Sequence, residues 1–286
     1  MALLGHVGVQ ASDWLSLLFG RRDNLMVALF RACFDEAGTG GRSPYSIVSG
    51  PVARLDQWDA FDRSWDELLN RNGVRYFHSK EFHDRNDDFD GWSNFKCKRF
   101  SDALAKRIKQ KTALEVMVAV EDAVHARFKK ELRGVKGFKT DSDVGLAFRI
   151  AMFLTCLNVE SIDRSAKVAF VVETGPYSND ANVIYEDIEK TGGHPWKPAR
   201  YAHMLGGFAS LPKGQLRGLE AADYLADRSL KDIEDNLRTP RPKLVYAIAN
   251  EKFLEEWYHG VLRERVRRTE HGRRKPKANP FSSEEG

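Results

Sequence analysis

A chain of 286 residues with 42% hydrophobic and 30% charged residues has the composition of a globular protein with enough apolar side chains for one substantial core. No apolar run approaches the roughly 18–20 residues of a bilayer-spanning helix, and the start of the chain, "MALLGHVGVQASDWLSLLFGRR", lacks a basic leader, so a cytoplasmic protein with no membrane contact is expected. The net charge of +4 is carried by the end of the chain, where eight basic and four acidic residues follow from Arg263 onward.

In chain order, residues 1–24 read as an N-terminal extension and 25–262 as one α/β domain with helical additions. Residues 263–286 read as a basic, flexible tail. Two strands, Leu25–Phe34 and Tyr45–Ala53, flank the turn-forming "EAGTGGRSP" and predict an antiparallel hairpin. Trp58, Phe61, Trp65 and Leu68 recur at helical spacing up to Gly73, predicting an amphipathic helix. "VRYFHSKEF" reads as a short third strand, "SNFKCKRFSDALAKRIKQK" as a helix and "ALEVMVAVE" as a fourth strand. An irregular basic stretch precedes the apolar helix "SDVGLAFRIAMFLTCLNVESI". "AKVAFVVETG" is a continuous apolar strand of the kind covered on both faces. "DANVIYEDIEKTGG" then reads as a helix, "YAHMLGGFASLP" as a strand, "LRGLEAADYLADRSLKDIED" as a helix, and about Lys243–Arg267 as a last helix. No internal repeat is evident.

Carboxylates stand at three places where the apolar pattern calls for none. Asp35 and Glu36 end the first strand, Glu173 ends "AKVAFVVE", and Glu220, Asp223 and Asp227 fall on or beside the apolar stripe of the "LRGLEAADYLA" helix. A buried ionised carboxylate needs a cation, a metal ion or hydrogen-bond donors. Hard cations such as Mg²⁺ or Mn²⁺ prefer carboxylate and water oxygens, so Asp35, Glu36, Glu173 and Asp223 suit a shared divalent site, as metal ligands and catalytic residues in phosphodiester hydrolysis. Each acid also has a structural reading: strand-terminal carboxylates cap helices, enter turns or pair with Arg and Lys.

Other features point less far. His78, Lys80 and Glu81 in "FHSKEF" could meet a phosphate or orient water, or could be satisfied locally. His78, Glu81 and His83 lack the spacing of a helical zinc motif, and "GTGGRS" lacks the Gly-Lys-Ser/Thr ending of a phosphate loop. Trp196, Lys197 and Arg200 in "GGHPWKPARYAHM" interleave aromatic and basic groups as nucleic-acid surfaces do, although a loop anchored by its tryptophan has the same composition. The basic tail can likewise hold phosphates or merely be solvated. Cys33, Cys97 and Cys156 show no C-x-x-C spacing and suit reduced thiols.

"FDEAG" after the first strand, "FHSKEF", "VVE" and "GLEAADYLA", in that order, resemble the bacterial domain of unknown function 3800 family over about Val27–Ala226. The resemblance implies a ribonuclease H-like mixed sheet flanked by helices, with functional roles for Asp35, Glu36, Asp223 and, less directly, Glu173. Ala37 stands where the family carries a small hydroxyl residue, and Glu220 where it carries Gln, which makes Glu220 an auxiliary ligand or a repulsive charge. With His78 and Glu81 as auxiliary groups, the expected activity is divalent-metal-dependent hydrolysis of RNA or DNA. The alternatives are a non-catalytic nucleic-acid or protein-binding module of a bacterial defence or mobile-element system, and phosphoryl chemistry on a small nucleotide.

Overall fold

The structure, a computed structural model, describes residues 29–41, 43–135, 140–191, 201–235, 241–259 and 263. The N-terminal extension, the loop containing Trp196, Lys197 and Arg200, and the tail after Arg263 lie outside the described residues. Six strands form one mixed sheet: β1 (Leu29–Ala37), β2 (Tyr45–Arg54), β3 (Leu114–Glu121), β4 (Lys167–Glu173), β5 (Leu205–Leu211) and β6 (Leu244–Ala249), in the order β5-β4-β1-β2-β3-β6. β1, β2 and β3 are antiparallel neighbours, β4 and β5 run parallel to β1 on its other side, and β6 runs parallel to β3. The run from β3 through β5 is consistent with a ribonuclease H-like α/β fold, to which β6 adds an edge.

Side-chain alternation along the strands decides which helix each face receives. Phe30, Ala32 and Phe34 of β1 point with Val116, Val118 and Phe170 into a core closed by α5 (Asp143–Ile162), with α4 (Asp122–Leu132), α6 (Ser178–Thr191) and α8 (residues 251–259) beside it. Cys33 and Val171 point the other way, against α1 (Leu55–Asn72), α3 (Asn94–Lys111) and α7 (Arg217–Glu234). The result is a helix–sheet–helix sandwich. α5 is long and apolar enough to cross a bilayer, but here it packs against β2 and β3 as a core helix.

Local chemistry fixes the boundaries. In the hairpin between β1 and β2, Gly38 has φ 75°, and a side chain there would sit 2.1 Å from the Tyr45 carbonyl. Ser93 and Ser142 accept the Lys96 and Gly145 N–H groups and so cap α3 and α5, while Gly73 ends α1 in the left-handed region. His125 of α4 is wholly buried and bridges two elements: its Nδ1 lies 2.6 Å from Asp143 Oδ1 and its Nε2 3.1 Å from the Tyr258 hydroxyl of α8. Cys33, Cys97 and Cys156 are free thiols, and burial pushes those of Cys33 and Cys156 up to about 12.

Four elements differ from the sequence reading. Residues 74–78 form no strand, and Ser79–Asp84 is a short helix, α2. Val74 and Phe77 turn into the α1/α3/α7 core, and the Phe77 and Ser79 N–H groups go to carboxylates of α7 instead of a neighbouring strand. The basic stretch after β3 is α4, with His125, Phe128 and Leu132 buried at helical spacing. The segment expected to open the last helix is β6, whose branched and aromatic "LVYAIA" pairs with β3, and helix begins only at residue 251. Finally, β1 runs on through Asp35 and Glu36, which pair in register with Ser49 and Val48.

Candidate functional site

The first strand delivers Asp35 on the face of the sheet that meets α7, since it continues the alternation of Arg31 and Cys33. In the parallel pairing of β1 with β4, Phe34 lies beside Val172, so Asp35 and Glu173 each follow one position on, at the carboxyl ends of adjacent strands. Glu36 faces the opposite layer, in a cleft of about 20 Å³ shared with Asp35, Glu173, Phe148, Ser178 and Asp180. That volume admits about one water-sized body. α7 brings Asp223 to the same strand ends from above.

The four acids feel one another. Burial raises the Asp35 carboxyl well above the usual range, and the charges of Asp223, Glu36 and Glu173 push it further, against one offsetting hydrogen bond from the Glu36 N–H at 2.9 Å. Asp35 keeps some solvent-accessible surface, yet the protein packed around its carboxyl makes desolvation the dominant cause. Glu36 is raised by burial and by Glu173 and Asp223, while its contact with the Asp35 side chain lowers it. Glu173 and Asp223 are raised by burial and partly offset by His78 and Lys213.

Asp223 has a second occupation. Its Oδ2 accepts the Ser79 N–H at 2.7 Å, the free donor at the start of α2. Three acids of α7 hold the same segment in this way. Glu220 Oε2 accepts the Phe77 N–H and the Trp65 indole N–H, each at 2.9 Å, its Oε1 accepts from Arg217, and Asp227 lies 2.7 Å from His83 Nε2. Glu220 is 3% exposed, and both its oxygens are engaged in joining α1, α7 and the residues before α2. Glu220, expected as an auxiliary ligand or a repulsive charge, thus acts here as a structural bracket.

The remaining sequence candidates divide. His78 stands beside the acids as the residue before α2, with Nδ1 3.1 Å from Glu81 Oε1 but not at hydrogen-bonding geometry. Glu81 Oε1 also accepts from the Tyr76 hydroxyl at 3.3 Å, and Lys80 is exposed on α2. Two residues near the acids escaped the sequence reading. Lys213, in the turn after β5, is found only once β5 is known to run parallel beside β4; Asp180, in the first turn of α6, lies just after the acid-ended strand and could have been flagged from that adjacency.

The donor chemistry fits a hard divalent cation: Asp35, Glu36, Glu173 and Asp223 offer carboxylate oxygens that repel one another until a cation or protons intervene. Their side chains are not gathered into a finished ligand shell, and among the described residues no three His, Cys, Asp or Glu side chains are set as one. Backbone N–H groups engage Asp35 Oδ1 and Asp223 Oδ2, which leaves the other oxygen of each carboxylate to meet a cation.

Fold and site together define an α/β protein with an acid cluster at the carboxyl ends of its central parallel strands. A comparison with models of known protein families found no match, and a comparison with curated proteins found none.

Proposed function

We propose that the protein is a divalent-metal-dependent nuclease, a cytoplasmic phosphodiester hydrolase related to the domain of unknown function 3800 family. The observation that carries this reading is the mutual charge crowding of Asp35, Glu36, Glu173 and Asp223 at adjoining strand ends. Like charges at such spacing cost stability, and function is the usual reason for such an arrangement to persist. A Mg²⁺ or Mn²⁺ ion held by these residues would supply an acidified water and a counter-charge for the phosphate oxygens. The chain's own part is to hold the oxygens on two rigid strands and one helix, and to place His78 and Lys213, whose charges reach Glu173 and Asp223, at the rim where an anionic strand would approach.

The test is incubation with labelled RNA and DNA in Mg²⁺ or Mn²⁺. Cleavage abolished in both Asp35→Ala and Asp223→Ala supports the reading, and cleavage unchanged in both removes it. One observation favours a second reading, a non-catalytic nucleic-acid-binding module: Asp223 is engaged in holding α2. On that reading Asp35→Ala leaves nucleic-acid binding unaffected, and Mg²⁺ adds no stability to either protein.

A further inference from the structure

A second cavity lies away from the acid cluster. About 310 Å³ of space opens between α3 and α7 beside Glu115 of β3, and none of Asp35, Glu173 and Asp223 lines it. One wall is apolar, from Ala105, Ile108, Leu225, Pro242 and the Tyr224 ring. The other carries Lys106, Lys109, Arg228 and Arg241 against the acids Asp102 and Glu115, a surplus of two positive charges among the lining groups.

The charged wall is built, not merely basic. The Arg241 side chain is 9% exposed, and its Nη2 donates to Asp232 at 2.9 Å, but its Nε and Nη1 are buried without hydrogen-bond partners. Glu115, buried below it, stands 3.6 Å from Nη1 with Oε2 also unpartnered, so the pair attract without bonding. Asp232 and Glu115 between them hold Arg241 in place as a buried cation in the lining. Arg228 is fixed from the other side, with Nη1 donating to the Tyr224 hydroxyl at 3.1 Å. Lys106 and Lys109 are exposed at the mouth and have no ion pair among the described residues.

We propose that this cavity binds a small phosphorylated ligand of mononucleotide size. A phosphate monoester carries close to two negative charges and several acceptor oxygens, which matches both the surplus charge of the lining and the exposed Lys106 and Lys109 ammonium donors. The apolar wall faces the rest of the ligand, where a base or similar ring would pack beside Tyr224. This site is independent of the nuclease reading.

The test is calorimetric titration of the full chain, without divalent ions, using adenosine 5′-monophosphate, uridine 5′-monophosphate, inorganic phosphate and adenosine as separate probes. Saturable one-to-one binding of a nucleotide is expected, with phosphate weaker and adenosine weakest. The double variant Lys106→Glu/Lys109→Glu and the single variant Arg241→Gln should each weaken it by about tenfold or more. The lysines are exposed, so the double variant keeps the test sound if Arg241→Gln does not fold. Asp35→Asn should leave the affinity unchanged. Absence of saturable binding by either nucleotide, equal binding by the charge-reversed double variant, or loss of binding in Asp35→Asn would overturn the proposal.

Discussion

Two neighbouring groups of carboxylates live under opposite conditions. On α7, Glu220 and Asp227 have dedicated partners: Trp65, Phe77 and Arg217 for the first, His83 and Lys231 for the second. At the ends of β1 and β4, Asp35, Glu36 and Glu173 are crowded by one another and by Asp223. An acid inside an apolar stripe is thus not evidence of a metal site in itself. What separates a bracket from a candidate ligand is whether donors or other acids surround it, and Asp223, at the join, belongs to both groups.

The contrast can be broken at several points. The largest effect is expected at Glu220. Replacing it by Ala leaves two buried N–H donors without an acceptor and takes from Arg217 one of its two carboxylates, Asp66 remaining, and should cost about 2–4 kcal/mol in denaturant unfolding. A loss under about 1 kcal/mol would mean that the bracket is not holding α1 and α7 together.

The strand-end group should respond in the other direction. Asp35→Asn removes a crowded charge and should raise stability at neutral pH, read as a higher denaturant midpoint than that of the parent. The sign follows from linkage. Folding raises the Asp35 carboxyl above its unfolded value near 4, so the folded state binds more protons, and stability falls as pH climbs from about 4 through the folded value. The parent protein should therefore gain stability as pH drops from 7 toward 5, and Asp35→Asn should flatten that slope. A destabilised Asp35→Asn would show that crowding is not the dominant force on this group.

Divalent ions sharpen the same point. At a free Mg²⁺ or Mn²⁺ concentration ten times its Kd, a site binding only the folded state adds about 1.4 kcal/mol. Thermal unfolding should show that gain in the parent and not in Glu173→Gln. The smallest effect belongs to Asp227. His83 and Lys231 hold its carboxyl below the usual range despite some burial, so its contribution is present above about pH 4 and is lost as pH falls through the folded value. All three groups are partly exposed, so Asp227→Asn should cost only about 0.2–1 kcal/mol, less in high salt.

Much of the architecture was written in apolar periodicity, because a period of two or of 3.6 survives in any window long enough to hold it. β3, β4, β5, α1, α3, α5 and α7 all fall within their expected stretches, and β2 passes its own by Arg54 alone. What periodicity could not carry was partnership. "VRYFHSKEF" has strand composition, but its amides find carboxylates on a helix more than a hundred positions later. "LVYAIA" has strand composition too, and it becomes a strand because the outer edge of β3 is open to it. The site divides likewise. Asp35, Glu36, Glu173 and Asp223 stood out as acids in apolar company, whereas Glu220 read as an auxiliary ligand or a repulsive charge, and its partners Trp65, Phe77 and Arg217 could not be read from spacing.

The bridge through His125 sets a limit on how far the chain can be shortened. Leu254 and Tyr258 are core residues, and the imidazole between Asp143 and Tyr258 would lose one of its two partners if the terminal helix were cut away. Trimming designed to isolate the effect of the basic extension should therefore stop short of Tyr258, since a deeper cut would report unfolding at α4 and α5 in place of lost binding.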